Sequence, residues 1–491
     1  MAESSITPVT EWPDYSVDPT GGDPVTHDLN APYDKGDLCW LLVCTIICWQ
    51  ITPAIGFLYA GMHRRKAALT MVLQSLFCSC ACGIQFWIYG YSLYQSRTTN
   101  PIWGDLSLAA FHNVLAQPSM ANTDVPEILY AAFGFTFVSA TAMILAGAML
   151  ERGRLWPSML FLLSWTTFVY YITLPSLAYW EWNPSGWLYQ LGLYDFAGSG
   201  PVHIASGFGA LAWSMMLGPR IPDATTLDRK KAVHYKPHNP LLMCIGTVFI
   251  WFGWFAFNGA STANLSIRSI YVVVNTNFAA CGGGIGWVLL DYIYTRKFSL
   301  VGFCSGIISG LVGITPAAGF VPVYVSSLVG LLTAISSYYV VKFKYLLSID
   351  DGLDIFAIHG VGGFVGDLLT GLFAAQFVPA LDGVSGTTYE GGWWNGNFRQ
   401  LGLQLAGATT CAAWSFFVSC VLLFIINKIP GLHIRASEEQ EVRGLDFKYL
   451  SDVDWEDHYM NGGLTPMIEG TPRRSATPPR VVEAVQDEKK D

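Results

Sequence analysis

The chain has 491 residues, of which 52% are hydrophobic and only 13% charged, against roughly 25% charged in an ordinary soluble domain. A water-soluble fold of this size could not cover its surface with so few charges and is excluded. The formal net charge of −9, from 36 acidic and 27 basic side chains with no basic block, excludes a nucleic-acid-binding footprint as well.

In chain order, residues 1–37 are polar and acidic, with neither the basic start nor the apolar core of a cleavable signal. They read as an extracellular N-terminal tail that stays on the mature protein. Apolar residues then gather into windows long enough to cross a bilayer, which takes about 20 residues as a helix. Eleven windows run 38–61, 68–94, 126–150, 156–180, 198–218, 241–260, 269–294, 299–315, 319–341, 354–377 and 401–427. The glycine-rich eighth, ending near Pro316, is the least marked. In lipid, backbone groups find partners only within helices or closed barrels, and strand-like alternation is absent. The expected fold class is therefore an all-α polytopic membrane protein with eleven transmembrane helices.

Charge sets the orientation. Loops after odd-numbered windows hold fourteen basic residues, among them Arg64, Arg65, Lys66, Arg152, Arg154 and Arg220. Loops after even-numbered windows hold three, Arg97, Arg268 and Arg399. The positive-inside rule then places the N-terminus outside and the C-terminus in the cytoplasm. Residues 38–427 form the transmembrane domain, and 428–491 a charged cytoplasmic tail, partly disordered around the Pro/Arg/Ser/Thr stretch 470–480. The 11 cysteines mostly lie inside apolar windows, without zinc-like spacing, and read as small hydrophobes.

An ionisable group inside the lipid zone is costly to bury and is by default a functional candidate. Two histidines stand out: His203 in Asp195-Phe-Ala-Gly-Ser-Gly-Pro-Val-His, and His359 in Asp354-Ile-Phe-Ala-Ile-His-Gly-Val-Gly-Gly. Each follows an aspartate and lies in the fifth window of a five-window block, 1–5 or 6–10. A repeat of odd span number must enter the membrane from the opposite side the second time, so an inverted repeat is expected, with its site near the midplane. At 1.5 Å per residue, His203 lies roughly 12 Å below Asp195 and His359 roughly 8 Å above Asp354, so the two converge. Each aspartate also precedes a helical run and has the position of its N-cap. Asp367, eight residues past His359, points either to a neighbouring helix or to a wet outer funnel.

With these residues in view, the chain resembles the ammonium transporter (Amt/Mep/Rh) family. The two aspartate–histidine segments are joined in this by Ile55-Gly-Phe-Leu-Tyr-Ala-Gly61, Ala148-Met-Leu-Glu-Arg152 and Gly253-Trp254-Phe-Ala-Phe-Asn-Gly-Ala-Ser261. Because His203 is retained where some fungal paralogues carry an acidic residue, the chain resembles the high-affinity, twin-histidine fungal permeases. The resemblance implies eleven helices with an inverted five-helix repeat, assembled as a homotrimer in the plasma membrane with one pore per protomer. It implies His203 and His359 as the pore pair and Phe137 and Phe257 as a stacked external gate. An ammonium recruitment site is implied around Ser261, Asp195 and a tryptophan, either Trp180 or Trp182, with Trp254 and Asp354 in support. Gly444-Leu-Asp446 is similar to the family's tail motif, although the histidine-glycine-glutamate that usually follows is absent. Ser475, after Arg473 and Arg474, has the local charge of a kinase target, where phosphate would add roughly −1.5 to −2 charges.

The residues suggest how such a pore would work. Ammonium held by aromatic faces would lose its proton, ammonia would cross a dry passage, and the histidines would relay the proton. A passive ammonia or gas channel is the competing reading within the same fold, and a sensing role is compatible with the long tail. An intramembrane metalloenzyme is disfavoured: no HExxH occurs and neither histidine has a second at i+4. No cofactor or metal is expected. The sequon Asn264-Leu-Ser266 lies at a window end, where a glycan is unfavourable.

Overall fold

The computed structural model describes residues 7–8, 23–149, 151–171, 177–221, 237–346, 349–383 and 389–451. Most of the 1–37 tail, the 470–480 stretch and Ser475 lie outside the described residues. Met1–Tyr449 is one compact unit, and the description that follows concerns it alone.

The main helices in chain order are α1 (Lys35–Met62), α2 (Arg65–Gln95), α3 (Glu127–Met149) and α4 (Leu155–Trp165, continued by the wide turns Thr166–Tyr171). Next come α5 (the wide turns Ser199–Ile204, continued by Ala205–Leu217), α6 (Pro240–Thr262), α7 (Ile267–Thr295), α8 (Leu300–Ile314), α9 (Val323–Lys344), α10 (Phe356–Phe373) and α11 (Phe398–Lys428). All but α4, α5 and α8 are long and apolar enough to cross a membrane. Of the fourth window, the described residues include helical segments up to Tyr171 and again over Leu177–Trp182.

Helix starts are read locally. Asp34 accepts from Gly36 N and Asp37 N at the head of α1. Asn239 accepts from Leu242 N above Pro240 at the head of α6, and Ser299 accepts from Gly302 N at the head of α8. Each cap satisfies donors that the first helical turn leaves free.

Packing is closest where side chains are smallest, as expected when lipid supplies no hydrophobic drive between helices. A Cβ on Gly283 of α7 would stand 2.3 Å from Gly306 O of α8. Across the centre, a Cβ on Gly207 of α5 would stand 2.1 Å from Gly360 N of α10, so those two backbones touch. Large apolar side chains such as Ile46, Phe252 and Phe417 point outward and are more than half exposed, the pattern of a bundle whose solvent is hydrocarbon.

Candidate pore and its gate

Wide π-type turns occur in the helices that carry both histidines, Ser199–Ile204 in α5 and Phe356–Val361 in α10. Such turns are rare and recur at functional sites because they re-aim a side chain. Here they turn both imidazoles to the Gly207–Gly360 crossing. His203 Nδ1 and His359 Nδ1 are 3.3 Å apart, and both residues are buried. His203 Nε2 has no partner among the described residues. The His203 ring stacks on Trp254 at 5.3 Å, and Trp254 is fixed in turn by donating from Nε1 to Thr315 Oγ1 at 2.9 Å.

On one side of the histidines the path meets Phe137 and Phe257, stacked 3.9 Å apart at 24°. Beyond them opens a vestibule of about 420 Å³ lined by Phe137, Trp182, Ser261, Asp195 and Glu181. Trp182 meets the Phe137 ring edge-on at 5.6 Å, and Ser261 Oγ donates to Phe257 O at 2.8 Å. On the other side of the histidines lies a cavity of about 30 Å³, lined chiefly by apolar side chains such as Ile55, Leu58, Met243 and Leu353.

Trp180 is not part of this site. Its Nε1 donates to Ile102 O at 3.0 Å, its ring packs on Trp187, and its outer side lines a groove on the bundle surface. Trp182, two residues on, faces the vestibule because a helical step of two residues turns the side chain by about 200°. Asp195 caps α5, accepting from Gly198 N (2.9 Å), Ser199 N (2.7 Å) and Gly200 N (2.9 Å). Asp354 does not cap α10. It takes a left-handed φ of 59° and its carboxylate pairs with Lys344, while Asp351 accepts from Phe356 N at 2.8 Å. Asp367 points to neighbouring helices, accepting from Ser199 Oγ of α5 at 2.6 Å and Gln404 Nε2 of α11 at 3.3 Å.

The opposite end of the bundle is basic but paired. Glu151 accepts from Arg64 Nε at 2.6 Å and lies 3.6 Å from Arg220, and Arg220 grips Asp350 at 2.6 Å. Burial by itself would raise the Glu151 carboxyl, but Arg220 and Arg64 outweigh it and hold it at about 2. The tail segment docks on this end. Asp446 accepts from Leu69 N (3.0 Å), Thr70 N (2.7 Å) and Thr70 Oγ1 (2.6 Å), capping α2. Gly444 has φ 111°, and a Cβ there would stand 2.5 Å from Lys66 O.

Glu181 was missed in the sequence because it reads as part of a loop between windows. The Trp254–Thr315 contact was missed because it joins α6 to the turn after α8. Among the described residues, no three His, Cys, Asp or Glu are grouped to hold a metal ion.

A helical bundle of membrane-length segments, with a stacked phenylalanine pair and two touching imidazoles between a vestibule and a small apolar cavity, has the architecture of a polytopic membrane transporter or channel. Residues 39–454 match the profile of the Ammonium Transporter Family. The chain is 43% identical over 469 residues to Ammonium transporter 1 of Schizosaccharomyces pombe, covering 96% of this chain and 92% of that one. It is 42% identical to Ammonium transporter MEP2 of Saccharomyces cerevisiae, covering 89% and 87%. A crystal structure of Candida albicans Mep2 superposes with a TM-score of 0.80 at 46% identity, covering 86% of this chain and 90% of that one. The chain belongs to the ammonium transporter family, a family of membrane transporters and not of enzymes.

Proposed function

We propose that the chain imports ammonium by deprotonating it: NH4+ is recruited in the vestibule, NH3 passes the Phe137–Phe257 gate and the histidines, and the proton crosses separately. The observation that carries this reading is the contrast along the path. The vestibule offers the faces of Trp182 and Phe137 with the Ser261 hydroxyl, where cation–π attraction is worth about 1–2 kcal/mol once water is excluded. The gate itself, a 3.9 Å ring stack, and the cavity of about 30 Å³ with chiefly apolar walls beyond the histidines leave no room for a hydrated ion. Born terms of order 20 kcal/mol before relaxation oppose an ion in such a passage. Neutral ammonia avoids them, and two imidazoles in contact supply a donor and an acceptor for the proton.

On this reading the chain crosses the plasma membrane eleven times as an inverted repeat of α1–α5 and α6–α10. The vestibule faces outside, the basic end faces the cytoplasm, and three copies assemble with one pore each. One charge enters per ammonia, driven by about 2.3 kcal/mol per 100 mV. The Asp446 dock makes the tail a natural point of control, by a kinase at Ser475 or through a sensing role. The test is current across liposomes holding the purified protein. Ammonium is expected to drive current, and potassium, which has no proton to give up, is expected to drive none. A potassium current of similar size refutes deprotonation as the filter, and ammonium flux without current assigns a passive ammonia channel instead.

A further inference from the structure

Three carboxyl groups converge where the vestibule meets α5, and two of them accept from strong N–H or O–H donors. Asp195 is held by three backbone N–H groups, and Asp367 by Ser199 and Gln404. The third, Glu181, is 6% exposed. Its Oε1 accepts only from Cys411 Sγ of α11, at 2.9 Å, and its Oε2 finds no donor among the described residues. The carboxyl instead lies within hydrogen-bonding reach of the Asp195 side chain. It rests on the first turn of α5: a Cβ on Gly200 would stand 2.1 Å from Glu181 Oε1. Glycine at 200 is what makes room for it. Glu181 lines the vestibule next to Trp182, the residue that meets the Phe137 gate. His203 follows Gly200 by three residues, roughly 4.5 Å of helical rise.

A buried carboxyl whose second oxygen finds no donor among the described residues is costly to keep ionised. Glu181, whose Oε1 meets only a thiol and whose Oε2 meets no donor among the described residues, therefore holds a proton. The titratable groups around Glu181 are Asp195, Asp367 and the Cys411 thiol, while Arg268, the cation among the described residues lining the same vestibule, pairs with Asp382 at 2.9 Å.

We propose that Glu181 is a proton-relay residue at the inner end of the vestibule. It passes its proton toward the unpartnered Nε2 of His203 and is left as a carboxylate. One N–H bond of the next ammonium then breaks, the electron pair stays on nitrogen as ammonia, and the proton forms a new O–H on Glu181, hydrogen-bonded to Asp195. This step rests on the deprotonation reading above and adds a named acceptor to it.

The test compares the wild-type protein with Glu181→Gln and Glu181→Asp in liposomes, by infrared spectroscopy and by current. A protonated-carboxyl band sensitive to heavy water is expected in the wild type. It should change on adding ammonium chloride, shift in Glu181→Asp and vanish in Glu181→Gln. Ammonium current should fall by roughly a hundredfold in Glu181→Gln, the lower end of what one positioned proton acceptor contributes, and its pH dependence should flatten, with partial recovery in Glu181→Asp. Wild-type current and pH profile in a folded Glu181→Gln protein would overturn the proposal. Should that variant fail to fold, a wild-type spectrum with no such band, or one unchanged in Glu181→Asp, overturns it equally. A potassium current in the wild type removes the deprotonation reading, whereas ammonium-selective current indifferent to Glu181→Gln removes only the relay.

Discussion

At the scale of single residues, His203 and His359 are meaningful only as a pair. Each imidazole buried alone leaves a ring nitrogen without a partner, whereas at 3.3 Å one ring nitrogen serves as donor to the other. Replacing both, as His203→Ala with His359→Ala, is expected to abolish selective ammonium uptake or to let intact ions through. Flux assays with ammonium, sodium and potassium check this, and wild-type selectivity in the double variant refutes the relay. Asp195 has a structural duty that a substitution series can separate from its charge. Asp195→Asn keeps an oxygen for Gly198 N and Ser199 N, while Asp195→Ala abandons all three donors. The alanine variant is expected to be less stable than the asparagine one by about 1–2 kcal/mol, read as a lower thermal midpoint in detergent.

At the scale of elements, α5 and α10 cross backbone to backbone, and that crossing brings the two imidazoles together. Gly207→Ala puts a methyl 2.1 Å from Gly360 N, where no flexible side chain can yield. The helices must part, at about 1–3 kcal/mol or more, and the imidazoles part with them. Ammonium flux is expected to fall sharply, while Gly402→Ala on α11, where nothing lies within 4 Å, is expected to be silent. Flux normalised to folded protein in the membrane distinguishes the two. The same logic explains the wide turns: at Ser199–Ile204 and Phe356–Val361 an α-helix yields regular hydrogen bonding in return for the direction of one ring.

At the scale of the whole molecule, the two ends answer to different chemistry. The vestibule end is aromatic and acidic. The basic end is knitted by Arg64, Arg220, Glu151 and Asp350, and with the tail docked through Asp446 it behaves as one unit. Glu151 has a folded pKa of about 2 against an ordinary 4.5. Its stabilisation is therefore complete above pH 4.5 and is lost as pH falls from there toward 2. A shift of that size corresponds to about 3 kcal/mol. Thermal midpoints measured between pH 6 and pH 3 are expected to fall in the wild type and to fall less in Glu151→Gln, which starts lower and has no such carboxylate to protonate.

The sequence by itself determined that this is a helical membrane protein, and it singled out two histidines inside apolar windows that the fold brings within 3.3 Å of each other. Hydrocarbon tolerates only backbone that satisfies itself, and a titratable group inside an apolar window has few bland explanations. Motif resemblance added Phe137, Phe257 and Ser261, which no periodicity selects. Only the tertiary structure decided between Trp180 and Trp182, since a helical step of two residues separates a surface groove from the vestibule. It alone moved the α10 cap from Asp354 to Asp351, because the choice follows from a left-handed φ and from Lys344 ten residues upstream. It alone brought Glu181 to Asp195 and Asp367 to α5 and α11. Those contacts join residues far apart in the chain, and distance in space is what a linear pattern of apolar windows does not encode.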